Sequence, residues 1–288
     1  MASRLEPLRG TLYVVGTPIG NLEDVTLRAL RILREVALIA AEDTRHTRRL
    51  LAHYDIQTPA ISYREQNRER AGERIVECLA ERSVALVSDA GMPAIADPGA
   101  DLIARVVGLG GRVEVIPGPS AVLAALVSSG LPVAPFTFVG FLSRQRGDRL
   151  RHLAALAPRA ETLVFYEAPH RLRGTLADML RAFGDRPAAA CRELTKVHEE
   201  VLRAPLSTLV DHFGRVEPRG EFTLVVHGAV EPAQPGDLEP ENLDSELREA
   251  MEAGADMRAV VAELTRRSGL PRRSVYARWQ ALRRERPG

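Results

Sequence analysis

The sequence predicts an α/β protein made of two α/β domains and a small helical piece at its end. Short apolar runs alternate with amphipathic stretches of helical length through most of the chain. A proline-rich break, Leu131-Pro132-Val133-Ala134-Pro135, divides that alternation into two blocks. Beyond Gly228 the apolar runs stop and the charge becomes strongly segregated. The expected domains are therefore residues 10–133, 134–229 and 230–288.

In the first block the run Thr-Leu-Tyr-Val-Val-Gly at 11–16 reads as a buried strand. A helix is expected at 25–34, a strand at 36–41, a helix at 43–52, a strand at 60–63 and a helix at 67–80. Strands follow at 84–88 and 113–116, then a helix at 120–128. Alternation of this kind implies a parallel or mostly parallel sheet with helices on both faces. The second block alternates likewise, with strands expected at 136–140, 162–167, 188–192 and 222–227, and helices at 146–155, 169–183 and 206–213.

The third piece opens as a linker with Pro232, Pro235 and Pro240. Residues 231–256 carry nine acidic side chains and one arginine, whereas 265–288 carry eight arginines and one glutamate. Within it lies helix–turn–helix spacing. An amphipathic helix at 257–267 is followed by a Ser268-Gly269-Leu270 turn. A second helix opens at Pro271, where proline is tolerated, with Val275, Trp279 and Leu282 on one face.

Composition excludes several classes. Of 288 residues, 45% are hydrophobic and 27% charged, which suits a soluble globular chain. A formal net charge of +1 gives no whole-chain polycation. Two cysteines, Cys78 and Cys191, make no metal or disulfide framework, and so few in a chain of this length read as cytosolic. Residues 1–10 contain no apolar signal core. The charge-free stretch 115–143 is long enough to cross a bilayer, but Pro117, Pro119, Pro132 and Pro135 break it as a helix. No membrane association is expected, and the location expected is cytoplasmic.

Four segments follow expected strands with Gly, Pro or small polar residues, where ligands bind in open α/β sheets. Gly16-Thr17-Pro18-Ile19-Gly20-Asn21 lets a backbone approach a ligand closely, yet it is neither a dinucleotide fingerprint nor a P-loop. Ser88-Asp89-Ala90-Gly91-Met92-Pro93 runs on to Asp97-Pro98-Gly99. An aspartate just past a strand either accepts hydrogen bonds from a ligand or caps a helix, and capping is favoured for Asp97. Pro117-Gly118-Pro119-Ser120-Ala121 opens a helix, with Ser120 as its cap or a ligand contact. The polar run 192–200 contains Lys196, the single lysine among 39 basic residues. Unlike arginine, a desolvated lysine can give up its proton, so this position is a candidate base.

Taken together these segments resemble the RsmI family, small-subunit (16S) ribosomal RNA cytidine 2′-O-methyltransferases of the tetrapyrrole-methylase superfamily. The matching stretches are GTLYVVGTPIGNL (10–22), AEDTR (41–45), SDAGMPAIADPG (88–99), PGPSAVLAALVSSGLP (117–132), FTFVGFL (136–142), FYEAPHR (165–171), RELTK (192–196) and GEFTLVV (220–226). Two positions depart from the family pattern: Ser143 stands where a proline is usual, and Arg64 where a histidine is common. The arginines at 144, 146, 149 and 151 remain available for an RNA-facing loop.

The resemblance implies S-adenosyl-L-methionine bound in a cleft between the two α/β domains, a homodimer, and ribosomal RNA or the assembled small subunit as substrate. Carried over by position, the cofactor would meet Thr17, Pro18, Ile19, Asp89, Met92, Ser120, Ala121, Phe165, Tyr166, Arg192 and Thr223. Attack by a ribose hydroxyl needs alignment and help with its proton. Lys196, Glu193, Glu42 and Asp43 are the candidate catalytic groups, and the sequence does not choose among them. No metal is expected. The arginine-rich tail would hold RNA phosphates. A tetrapyrrole methyltransferase on the same scaffold is the alternative, and a DNA-binding regulator that senses a ligand is the reading of a different class.

Overall fold

Strands β1 (Thr11–Val15), β2 (Leu38–Ala41) and β4 (Val84–Val87) are apolar almost throughout, Thr11 being the polar exception, so they need cover on both faces. In the computed structural model, which describes residues 8–229, 242–253, 255–268 and 270–285, they receive it. With β3 (Ala60–Ser62) and β5 (Arg112–Ile116) at the edges they form a parallel sheet in the order β3-β2-β4-β1-β5. Helices α1 (Leu27–Glu35) and α2 (Thr44–His53) bury Leu33 and Leu50 against one face, next to Val15 and Ile39. Helices α3 (Arg68–Leu79) and α4 (Ala100–Gly108) bury Ile75 and Val106 against the other, next to Leu12 and Leu86. The chain leaves β1 toward β2 and leaves the adjacent β4 in the opposite direction, toward β5. That reversal opens a crevice at the carboxyl ends of β1 and β4.

The next helix, α5 (Ala121–Ser129), turns away from the first sheet. Its Val122, Ala125 and Leu126 pack with Val164, Ala189, Cys191 and Val225 of the second sheet, and Ile19 of the β1 loop joins the same cluster. The second sheet contains β6 (Phe136–Phe141), β7 (Thr162–Glu167), β8 (Pro187–Arg192), β9 (Glu200–Pro205) and β10 (Phe222–Val226), ordered β6-β7-β10-β8-β9. Helices α6 (Arg146–Leu156), α7 (Pro169–Phe183) and α8 (Leu206–Arg215) cover its other face around Leu163, Phe165, Leu176 and Leu224.

In this sheet β6 and β7 pair parallel, but the other three pairs are antiparallel, unlike the parallel first sheet. The reason is the connection. A loop without a helix joins β8 to β9, and parallel neighbours need a long crossover. Helix α4 and strand β9 were not expected from the sequence.

The chain divides into two compact units, residues 1–228 and 229–288. The second unit holds α9 (Leu243–Glu252), α10 (Met257–Ser268) and α11 (Arg272–Glu285) around Leu247, Val261, Leu264, Val275, Trp279 and Leu282. The expected face Val275–Trp279–Leu282 is the buried one. Helix α9 replaces part of the expected acidic linker, and its Asp244 pairs with Arg278 of α11. The linker prolines, the turn residue Gly269, Arg286 and the segment 1–7 lie outside the described residues, as do the side chains of Arg266, Arg267 and Arg284. Among the described residues no helix is long and apolar enough to cross a membrane.

Candidate functional site

Three loops meet at the crevice, and glycine is what lets them. A side chain on Gly16 would stand 2.7 Å from Gly118 Cα and 2.7 Å from the Met92 sulfur. The loops after β1 and β5 thus touch backbone to backbone with Met92 of the β4 loop packed against them, a use of Gly16 different from the close ligand approach expected of it. Thr17 and Gly91 exchange both backbone hydrogen bonds, at 2.9 and 3.1 Å, and Gly91 takes a positive φ of 73° to do so.

Above these loops lies a cleft of about 350 Å³, bounded on the far side by the second sheet. Its walls include Ile19, Asp89, Met92, Ser120 and Ala121 from the first block, and Tyr166, Cys191 and Thr223 from the second. Thr223 pairs with Tyr166 on one side and Cys191 on the other, so the three side chains form one row across β7, β10 and β8. Five carboxylates, Glu42, Asp89, Asp97, Glu167 and Glu221, also line the cleft, and among the described residues no lysine, arginine or histidine does. A second cavity of about 300 Å³ adjoins it, sharing Ile19, Asp89, Ala90 and Glu221.

The carboxylates differ in environment. Asp89 Oδ1 accepts from the Asp43 amide at 2.9 Å, while Glu42 Oε2 accepts from the Asp89 amide at 3.3 Å, so the ends of β2 and β4 interlock. Burial and the neighbouring Asp97 raise the Glu42 pKa above the ordinary glutamate range. Burial likewise raises Asp97. Asp97 is not the cap of α4, contrary to the favoured expectation; that position is Gly99. Glu167 is fully buried and spent on structure, accepting from the Ala168 amide and the Thr175 hydroxyl and pairing with Arg171. Tyr166 is pushed up to about 12, by burial first and then by Asp97.

The catalytic candidates separate on the same grounds. Asp43 caps α2 through the Arg45 amide and pairs with Arg45 and Arg64, which hold its pKa far below the carboxylate range. Lys196 sits between Glu193 at 2.9 Å and Glu221 at 3.1 Å. Burial alone would lower its pKa, but the hydrogen bonds it donates to the two carboxylates outweigh that and raise it. This is the opposite of what the lysine-base expectation needs. For Glu193 burial pushes up, but Lys196 and the Glu221 amide pull harder and its pKa is lowered. Glu42 alone of the four has a raised carboxylate pKa and an edge on the cleft.

Of the positions expected to meet the cofactor, Ile19, Asp89, Met92, Ser120, Ala121, Tyr166 and Thr223 line the cleft. Ser120 also caps α5, so the same residue closes the helix and lines the cleft. Thr17 and Pro18 line the second cavity instead. Phe165 and Arg192 line neither. Phe165 alternates with Tyr166 along β7 and is buried in the core beneath α7, with its ring facing Phe183. Arg192 donates to the Arg219 carbonyl at 2.7 Å and pairs with Glu200 across the β8–β9 edge. Arg149, expected in an RNA-facing loop, is buried against Asp178 at 2.7 Å.

A family model described as Tetrapyrrole (Corrin/Porphyrin) Methylases matches residues 11–210. The chain belongs to the tetrapyrrole methylase family. Among its relatives within that family, a protein of Halalkalibacterium halodurans named ribosomal RNA small subunit methyltransferase I is 46% identical over 93% of this chain and 94% of its own length. A protein of the same name from Synechocystis is 46% identical over 93% of this chain and 96% of its own. Among solved structures, a uroporphyrin-III-C-methyltransferase from Thermus thermophilus superposes with a TM-score of 0.55 at 26% identity, over 75% of this chain and 94% of that one. A uroporphyrin-III C-methyltransferase of that organism complexed with S-adenyl homocysteine gives 0.54 at 23%, over 76% and 97%.

In this tetrapyrrole methylase the sequence reading missed Ile95, Phe141 and Glu221 as cleft residues. Phe141 had one legible sign, a large apolar residue at the end of an expected strand. Ile95 and Glu221 sit in loops with no periodicity to place them. Among the described residues no cluster could hold a metal ion.

Proposed function

We propose that the protein transfers a methyl group from S-adenosyl-L-methionine to small-subunit ribosomal RNA, at the ribose 2′-oxygen of a cytidine. The observation that carries this reading is near-full-length similarity, at 46% identity, to proteins named ribosomal RNA small subunit methyltransferase I. The tetrapyrrole alternative leans on structural neighbours that cover about three-quarters of the chain at lower identity.

The cleft suits the donor. An apolar pocket of this size with a few placed polar groups fits a small cofactor, and its carboxylates favour a sulfonium cation. Asp89, Met92, Ser120, Ala121, Tyr166 and Thr223, with Ile19, would hold it. When bound, S-adenosylmethionine supplies a methyl group that is already electrophilic. The chain's own residues then have two tasks. The interlocked ends of β2 and β4 fix Glu42 and Asp89 in place, so that alignment does not depend on mobile side chains. Glu42, its pKa raised above the ordinary glutamate range by burial and by Asp97, accepts the proton of the ribose hydroxyl at its carboxylate oxygen. Lys196 holds Glu193 and Glu221 as a fixed cation rather than acting as the base.

The reading includes a homodimer in the cytoplasm. Val115 on the edge strand β5 and Leu123 and Val127 on α5 are exposed apolar side chains that a second copy would cover.

The test is methyl transfer from labelled S-adenosylmethionine to small ribosomal subunits that lack the modification, followed by mass spectrometry of the digested nucleosides. A new 2′-O-methylcytidine is expected. A protein that binds the donor but transfers nothing to subunits or their RNA is a methylase of another substrate, and the tetrapyrrole reading takes its place.

A further inference from the structure

We propose that the second cavity receives the acceptor nucleotide, with the RNA phosphate held by Arg49 and His46 and a ribose or base group met by the Thr47 hydroxyl. The inference rests on the rRNA reading and names the subsite that reading requires.

The two cavities differ in their basic side chains. Among the described residues the donor cleft is lined by carboxylates and by no basic side chain, whereas the second cavity adds His46, Arg49 and Lys196 to the shared Asp89 and Glu221. Lys196 is committed to Glu193 and Glu221. His46 and Arg49 lie one turn apart on the exposed side of α2, and neither enters an ion pair among the described residues. Two uncommitted cationic or proton-bearing side chains at a cavity mouth fit an anion, and phosphate is the anion of RNA.

A separate observation points into the same cavity. Thr47 is 4% exposed, lines the cavity, and its hydroxyl is buried without a hydrogen-bond partner. A threonine inside a helix ordinarily bonds back to the carbonyl four residues earlier. Here that bond is not made: the Asp43 carbonyl accepts from the Thr47 and His46 amides, both at 3.0 Å, and not from the Thr47 hydroxyl. A buried hydroxyl left unpaired costs free energy, and a ligand polar group at this place would satisfy it.

The position also meets the demand of the chemistry. The shared wall of Ile19, Asp89, Ala90 and Glu221 puts the cavities side by side. An acceptor oxygen and a donor methyl must come within roughly 3–3.5 Å. Glu42 lines the donor side and Asp89 belongs to the shared wall itself, next to where the oxygen would enter. Thr17 and Pro18, carried over as cofactor contacts, become walls of the acceptor pocket instead.

The experiment uses the full chain with Arg49→Gln and Thr47→Val. It measures S-adenosylhomocysteine affinity by calorimetry, and KM for undermethylated small subunits across a series of salt concentrations. Both variants should bind S-adenosylhomocysteine like the parent, which also shows that they fold. Arg49→Gln should raise KM about 10-fold and reduce the salt slope by about 1, as loss of one phosphate contact does. Thr47→Val should raise KM about 3-fold with the salt slope unchanged, the effect of one hydrogen bond. Parental KM and salt slope in both variants would overturn the assignment while leaving the rRNA reading intact. Loss of S-adenosylhomocysteine affinity would give the cavity to the donor and overturn it too. Absence of transfer to subunits by the unaltered protein would remove the rRNA reading itself, and the assignment with it.

Discussion

The first sheet meets the cleft with the ends of its strands, whereas the second meets it with a face. At the strand ends the contribution is made by loops: Gly16 against Gly118, Thr17 bonded to Gly91, and Glu42 interlocked with Asp89. On the face it is made by side chains that alternate, with Tyr166, Thr223 and Cys191 toward the cleft and Phe165, Leu224 and Ala190 toward the helices. Parallel strands feed helices and leave their carboxyl ends free for loops; a mixed sheet with one face only partly covered, here by α5, offers a surface. Removing a group at the strand ends should therefore act on chemistry. Removing one under the open face should act on stability, unless its side chain belongs to the cleft row.

The largest expected effect is at the strand ends. Glu42→Gln keeps the hydrogen bond from the Asp89 amide but cannot take a proton, so kcat should fall by about 10²–10⁴-fold with donor affinity kept. Because the Glu42 pKa is raised, the parent's kcat should fall as pH drops through a value above the ordinary glutamate range. Single-turnover rates on small subunits between pH 5 and pH 9 check this. A limb at about pH 7–8, as a lysine base with a lowered pKa would give, that is absent in Lys196→Arg would restore the lysine base instead.

Next in size is a change beneath the second sheet. Asp178, with a side chain 2% exposed, binds Arg149, 10% exposed, and the more exposed Arg146. Asp178→Asn leaves a buried guanidinium without its counter-charge, which should cost about 3 kcal/mol. Thermal or urea unfolding at neutral pH measures it. Burial raises the Asp178 pKa, but the two guanidinium groups lower it further, and the net direction is down. The stabilisation is thus fully present above about pH 4, the ordinary carboxylate value, and is lost as pH falls through the lower folded value. The gap between parent and variant should stay constant from pH 5 to 8 and shrink below that. A gap that persists at pH 2 would assign the loss to packing rather than charge.

The same contrast governs how much could be read beforehand. The strand-end loops were legible because glycine, proline and aspartate at the end of an apolar run have few other reasons to cluster. The second sheet was less so. β9 is an edge strand with polar residues facing outward, and Glu200 at its start merged with the polar run 192–200, which read as a loop. Helix α4 was hidden because Asp97-Pro98-Gly99 read as the end of a binding loop; its buried Leu102 and Val106, four apart, were the available sign. Helix α9 lay within an acidic stretch whose prolines suggested a linker, though Leu243 and Leu247 have helical spacing. Antiparallel pairing of β8 with β9 depended on an absent helix, which periodicity reports weakly.

The smallest effect is the sharpest test of the contrast. Motif matching assigned Phe165 and Tyr166 together to the cofactor, yet neighbours on a strand face opposite ways. Phe165 lies among Leu163, Leu176 and Phe183, and Tyr166 stacks edge-on with Phe138 and lines the cleft. Phe165→Leu should cost about 1 kcal/mol of stability, as a near-conservative core change does, and leave S-adenosylhomocysteine affinity alone. Tyr166→Leu should do the reverse: little change in unfolding midpoint, and donor affinity weakened about 5-fold by the lost aromatic contact. Calorimetric titration and thermal unfolding on the two variants give four numbers. If Phe165→Leu also weakened the donor by as much, the face of β7 would not be what separates the two residues. The second sheet would then act on the cleft through its rigidity as a whole, and the distinction between strand ends and open face would lose its physical basis.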